Sequence, residues 1–331
     1  MNGTFTYRTR RGGLAGLRRQ RGVAMMVAIL LVAFATILAA AIGFKGAMAA
    51  RRSTASMAMD QGLLIAEAAE ALAAYALRED LKAGQKTDNP SEEWGQPLGP
   101  VEVVPGVVLE AYVEDATARF NLNSLVDGNN QIDPVALQKL ESLMDQVGVE
   151  TKWAAIIADW IDPDTQPING GAEDSVYAAQ TPPYRAANIF ITSPSELLAM
   201  PEFGRDRYVK LSPFVTALPR DAKINTCSAS GVLLDAMVEV SHKHFSTLDP
   251  KDFAKQRQSG CFPTPDVYAA EFGGPQSQDW AAVKDRVSEV SSYFRVTSIV
   301  TIGSAEFTLY SLLWRDTQGL SHVLMRSYSP D

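Results

Sequence analysis

Five carboxylates crowd one short stretch of this chain: Asp159, Asp162, Asp164, Glu173 and Asp174, interleaved with Pro163, Pro167, Gly170 and Gly171. Carboxylates gathered by turn residues either bind a hard cation or stand apart as a solvated acidic loop. Ca²⁺ takes six to eight oxygen ligands and tolerates irregular geometry, so such a loop suits it better than Mg²⁺. No cysteine or histidine lies nearby, which argues against zinc. A second run, Asp127-Gly-Asn129-Asn-Gln131-Ile-Asp133, alternates oxygen donors like the start of an EF-hand loop. It lacks the glycine of loop position six and has Gln138 where the bidentate glutamate belongs.

Catalysis has less to work with. Of the three histidines, His242 and His244 flank Lys243 and His322 stands alone. No serine, histidine and acid follow a nucleophile elbow, and no glycine loop is built for phosphate. Paired carboxylates could do acid–base work, but the flanking prolines and glycines suit a metal loop. The chain reads as a non-enzyme. Two stretches, Pro194–Gly204 and Ile224–Met237, look like single helix-hairpin-helix elements, which in DNA-binding proteins offer backbone amides to phosphate. Their surroundings are acidic apart from Arg205, Arg207 and Lys210, so packing or protein contact is the expected role.

The elements that must carry these residues begin with Val23–Phe44, a run of 22 residues without a charge. At about 1.5 Å per residue a helix of that length covers about 33 Å, enough to cross a bilayer. Arg8, Arg10, Arg11, Arg18, Arg19 and Arg21 precede it with no acid among them, which holds the N-terminus in the cytoplasm. The run is too long for a secretory signal, whose apolar core has about 7–15 residues. A basic leader, Gly22, then hydrophobic residues from Val23 is the layout of a prepilin, cut between Gly22 and Val23. The same features also describe an ordinary single-pass inner-membrane protein. Without residues 1–22 the chain has 24 basic against 38 acidic groups, a formal charge of −14. Such a body is a poor partner for nucleic acid, where phosphate neutralisation drives binding, and is better suited to divalent cations. Cys227 and Cys261 then lie in the periplasm, where a disulfide is expected. Closing that loop is worth roughly 3–4 kcal/mol on the chain-entropy account.

Leu64, Ala68, Leu72 and Tyr75 repeat at helical spacing, so one long helix is expected to run to about residue 82, laying that stripe on a globular head, with Gly84 as its cap. A Pro/Gly-rich stretch to Gly106 leads to a strand at Val107–Asp115. Segments 134–147, 151–161, 194–200, 231–240 and 279–286 have helical spacing, with Pro134 and Pro194 in first turns. Ser292–Ile302, Glu306–Trp314 and His322–Ser327 read as strands, with turns at Gly303-Ser304 and Thr317-Gln-Gly319. This order predicts an α+β fold: a long N-terminal helix, an antiparallel sheet and a large inserted α-helical domain. The expected divisions are a leader at 1–22, a transmembrane or filament-core helix at 23–44 and its continuation at 45–83. The first part of the sheet domain follows at 84–120, the helical insertion at 121–286 and the closing strands at 287–331.

Arg21-Gly22-Val-Ala, Ala118-Arg-Phe-Asn-Leu-Asn123, Trp160-Ile-Asp-Pro-Asp164, Gly170-Gly-Ala-Glu-Asp174 and Pro182-Pro-Tyr-Arg-Ala-Ala-Asn188 occur in that order. With them the chain resembles, essentially end to end, the type II secretion system protein K family, the largest minor pseudopilins. The resemblance implies cleavage by a prepilin peptidase, a pilin-like scaffold, and a structural calcium site, for which Asp162, Asp164, Glu173 and Asp174 are the expected ligands. Asp159 is left on the preceding helix. It implies as partners the minor pseudopilins of the I, J and H types, the major pseudopilin, inner-membrane lipid, secreted protein substrates and the outer-membrane secretin. It places the protein in the bacterial inner membrane, its body periplasmic, and at the pseudopilus tip after assembly. Pilins generally carry a glutamate at the fifth mature position, where this chain has Val27. A carboxylate in hydrocarbon is costly unless paired, and a subunit with nothing above it needs none. Val27 therefore fits a tip subunit, or an anchor that never polymerises. A membrane-anchored DNA-uptake protein and a minor pilin of a type IV pilus are the other readings.

Overall fold

The computed structural model describes residues 21–83, 86–258 and 260–329. The leader up to residue 20 and the expected cap Gly84 lie outside them. The first helix, α1 (Arg21–Lys82), is 62 residues long. The chain divides into two compact units between Ala58 and Met59. In the first, α1 contains a window of mean hydropathy 2.8 with none of it buried. A helix apolar on every side has no preferred face, which is the pattern of one dissolved in lipid.

In the second unit the chain leaves α1 for an antiparallel hairpin, β1 (Leu98–Val104) and β2 (Val107–Asp115), turned at Gly106 with φ +79°. β1 falls inside the Pro/Gly-rich stretch and was not expected as a strand. It contains Gly99 and Pro100 and is exposed throughout. An edge strand tolerates proline because one side of its backbone has no ladder to complete.

Residues 116–288 then fold mainly as helices. They include two-residue strand β3 (Phe120–Asn121), α2 (Pro134–Gln146), α3 (Lys152–Ile161), α4 (Asp174–Tyr177) and α5 (Gly204–Leu211). Next come β4 (Val215–Thr216), β5 (Ile224–Asn225), α6 (Gly231–Val238), α7 (Pro250–Gln258), α8 (Pro265–Glu271), α9 (Gln278–Val283) and β6 (Val287–Ser288). β3 pairs with β4 and β5 with β6, both parallel. The stretch expected as a helix from Pro194 is a 3₁₀ turn, Pro194–Ala199. A large apolar core fills this region, with Leu140, Leu143, Ile157, Leu197, Phe203 and Leu234 fully enclosed.

β7 (Tyr293–Ile302), β8 (Ala305–Arg315) and β9 (Ser321–Ser327) complete an antiparallel sheet in the order β1-β2-β7-β8-β9. β2 and β7 pair from Val107↔Ile302 to Asp115↔Phe294. The helical region therefore leaves and re-enters the sheet at facing residues, where a long excursion adds only slowly to closure entropy.

α1 covers one face of this sheet, but not with the stripe its periodicity predicts. Leu64, Leu72 and Tyr75 are 67%, 50% and 59% exposed, and Ala68 is exposed too. The buried face consists of Ala66, Ala69, Glu70, Ala73 and Leu77, packed near Leu109, Phe294, Val300, Leu309 and Leu313. Alanines let a helix lie close on a sheet. Glu70 is accepted there because Arg326 on β9 meets it with two parallel hydrogen bonds, 2.9 and 2.8 Å long. Burial raises the Glu70 pKa, but hydrogen bonds from Arg326 and Ser311 together with the guanidinium charge outweigh it and hold the carboxyl below its usual range.

At the junction of sheet and helical region the polar groups are fully engaged. Arg315 donates to both oxygens of Asp88, and both side chains are almost fully enclosed. Ser291 donates its amide to Asp88 (2.8 Å) and its hydroxyl to Asp115. The Asn225 amide reaches Asp115 (2.9 Å) and the Asp88 carbonyl (2.7 Å). One network thus joins the chain after α1, the ends of β2 and β8, and the helical region.

Candidate functional site

The acidic stretch begins in the last turn of α3. Asp159 sits one helical turn before Asp162, so both project the same way. Asp162 caps the helix in an extended conformation, its amide donating to Ala158 O at 3.0 Å. The chain runs out through Pro163 and Asp164 and returns through Gly170 and Gly171. Gly170 has φ +84°, which few other residues adopt. A Cβ on Gly171 would lie 1.9 Å from Asp159 Oδ2, so only glycine lets the returning backbone pass. Glu173 follows, just ahead of α4.

The result is a knot of enclosed oxygens. Asp159 is fully buried, and Asp162 and Glu173 are each 3% exposed. Carboxylate oxygens of Asp162, Asp164 and Glu173 lie within 4.8 Å of one another. Asp159 Oδ2, Asp162 Oδ1 and both oxygens of Glu173 have no hydrogen-bond partner, nor does Asn188 Oδ1. Asn188 is drawn in by its own amide donating to Trp160 O at 3.0 Å, and its side chain donates to Asp164 O. The charges acting on Asp162 are those of Asp164, Asp159 and Glu173, all of one sign. Burial first, then this repulsion, pushes Asp162 up to about 7. Burial likewise takes Asp159 to about 6 and raises Glu173.

Asp159 Oδ1 accepts the Ile168 amide at 3.2 Å, but buried carboxylate oxygens left without a donor are expensive. A cation with a flexible oxygen shell answers both the missing partners and the repulsion, and the donors are all hard oxygens. Of the expected ligands, Asp162, Asp164 and Glu173 converge. Asp174 does not join them: its Oδ1 accepts the Ala186 amide at 3.0 Å and its Oδ2 faces Arg185 at 3.9 Å. At the head of α4 it secures the segment that brings in Asn188. Asp159, set aside as a helix residue, is part of the knot because the helix ends beside it. Asn188 was not singled out, although it closes the Pro182–Asn188 motif. Proximity of a motif more than twenty residues away is invisible to local pattern.

The second acidic loop has other work. Asp127 Oδ1 accepts the amides of Asn129 (2.8 Å) and Gln131 (2.9 Å). Asp133 caps α2 and pairs with Arg286 at 2.6 Å. Two of the three basic residues near the first hairpin-like stretch are also committed, Arg207 to Glu150 (2.6 Å) and Lys210 to Gly148 O (3.1 Å). In the second stretch α6 starts only at Gly231, after β5, so it is not a helix pair. Cys227 and Cys261 are joined in a disulfide. Gly22 and Val23 lie in the first turn of α1, with Val23 exposed.

Residues 118–220, which contain the whole acidic knot, match the family described as type II secretion system (T2SS), protein K. The chain is 32% identical to the type II secretion system protein K of Pseudomonas aeruginosa, covering 93% of each. It is 31% identical to that of Pectobacterium carotovorum over 94% of this chain and 97% of the relative. Among solved structures it resembles a chain of the GspK-GspI-GspJ complex from the type 2 secretion system of enterotoxigenic Escherichia coli. That match has a TM-score of 0.73 at 27% identity and covers 85% of this chain and all of the other. Likeness over nearly the whole length, in sequence and in fold, places the chain in the type II secretion system protein K family.

Proposed function

We propose that this protein is a minor pseudopilin that caps the pseudopilus of a type II secretion system and helps start its assembly. The observation that carries the reading is the fold shared along nearly the whole chain with a relative solved together with GspI and GspJ. The partners on this reading are minor pseudopilins of the I, J and H types and the major pseudopilin. The outward stripe Leu64, Leu72 and Tyr75, left uncovered by the chain's own sheet, offers them an apolar helix face. Val27, in place of the pilin glutamate, suits a subunit with none above it. The membrane segment anchors the protein in the inner membrane with the arginine-rich leader in the cytoplasm and the body in the periplasm, where a disulfide persists.

Within the body, Asp162, Asp164 and Glu173 would hold a calcium ion, with Asp159 and Asn188 beside it. Bound calcium supplies positive charge and oxygen coordination that fasten the end of α3 to the start of α4. The protein's own part is to gather those oxygens, which Gly171 and the Asn188 amide do.

The experiment is the intact mass and N-terminal sequence of the protein from membranes with and without the prepilin peptidase. A chain beginning at Val23 only where the peptidase is present supports the pseudopilin reading. A chain that keeps its leader in both strains overturns it and leaves an anchored periplasmic domain.

A further inference from the structure

We propose that His242, His244 and Glu271 form a second metal site, selective for a divalent transition metal such as Zn²⁺. The two histidines lie on the loop that follows α6, and Glu271 is the last residue of α8. Both oxygens of Glu271 face the pair: Oε1 is 2.8 Å from His244 Nδ1 and Oε2 is 3.1 Å from His242 Nε2. One ligand atom from each residue lies within 4.8 Å of the others. Zn²⁺ sits about 2.0–2.1 Å from nitrogen and oxygen ligands, which in a tetrahedron sets those atoms about 3.3 Å apart. The two separations between Glu271 and the histidines are therefore already close to the spacing a metal needs.

His242 Nε2 is itself buried and has no hydrogen-bond partner. The Glu271 oxygen 3.1 Å away is off the axis along which an N–H would donate. A nitrogen left this way has its lone pair free for a metal. The loop is held in place independently. Asp235, fully buried on α6, accepts the backbone amides of His244 (3.1 Å), Phe245 (3.0 Å) and Ser246 (2.8 Å). Its Oδ1 also stands 3.7 Å from His242 Nε2, adding a second carboxylate beside the nitrogen that would bind the metal. His244 is about half exposed, so water can take the fourth position. Two imidazoles and one carboxylate favour zinc, copper or nickel over calcium, which keeps this site chemically apart from the acidic knot. Occupied, it would tie the loop after α6 to the end of α8.

The chain contains three histidines in all, which makes the test clean. The third, His322, stacks on Trp314 and faces Asp316 at 3.3 Å. The untagged full chain, in detergent and stripped with EDTA, is titrated with Co²⁺ and followed by its visible d–d absorption. One equivalent should produce the intense bands of a four-coordinate ion, which Zn²⁺ abolishes and Ca²⁺ does not. H244Q and E271Q should weaken binding at least ~10-fold, whereas H322Q and D162N should leave it unchanged. His244 is exposed enough that its substitution keeps the fold, which unchanged circular dichroism would verify. Absence of the bands, or bands that survive both H242Q and H244Q, overturns the proposal and leaves the trio as a hydrogen-bonded surface cluster.

Discussion

At the scale of single residues the consequential feature is the set of oxygens with no donors. In the metal-free fold, burial and mutual repulsion keep Asp162 protonated up to about pH 7 and Asp159 up to about pH 6. In the unfolded chain both lose the proton near pH 4. The folded state thus binds more protons between those limits, and stability falls as pH rises from about 4 to about 7. Thermal melts of EDTA-treated protein should show the midpoint dropping across that range. Added Ca²⁺ should raise the midpoint at pH 7.5 and do much less at pH 5, where protons compete for the same oxygens. A midpoint indifferent to Ca²⁺ at pH 7.5 would count against the ion. Gly171→Ala gives a second measure, because its methyl would enter the space of Asp159 Oδ2. Its expected signature is loss of the calcium-dependent rise, measured beside wild type at the same calcium concentration. Asp174→Asn, outside the knot, should retain most of it.

At the scale of elements, periodicity located α1 but not its buried side. Leu64, Leu72 and Tyr75 have the correct spacing and the greater hydrophobicity, yet alanines and Glu70 face the sheet. Large apolar residues on one stripe are what both a core face and a subunit-contact face look like, and the sheet's need for close approach decides between them. Ala69→Leu should therefore destabilise the isolated protein by about 1–3 kcal/mol through overpacking. Leu72→Ser should stay within about 0.5 kcal/mol and instead weaken co-purification with partner pseudopilins. Denaturant melts read the first and pull-downs the second. The junction network makes a different prediction. Arg315→Met leaves Asp88 enclosed without its counter-charge. Breaking such a pair costs on the order of 3–5 kcal/mol, visible as a large fall in the unfolding midpoint.

At the scale of the whole molecule, the five-stranded sheet closes only after the chain returns from its helical excursion, pairing β2 with β7 across a long gap in sequence. The helical region has its own apolar core and a disulfide between Cys227 and Cys261. Cys227→Ser together with Cys261→Ser should lower stability by about 2–5 kcal/mol, while leaving membrane insertion of Val23–Phe44 intact. Protease resistance of membrane-bound protein would separate the two effects. Much of this plan is written locally. An uncharged run long enough for a bilayer, strands alternating every second residue and prolines in first turns each act through neighbours within a few positions. The fold class and the acidic stretch were therefore legible from the chain alone. What required the folded molecule was everything decided by distant neighbours. Gly171 passing over Asp159, Asn188 arriving beside Glu173, Asp174 diverted to Ala186 and the rotation of α1 onto its alanine face all depend on backbones that meet across long separations. Local spacing specifies which way a side chain points, and only tertiary packing specifies what it meets there.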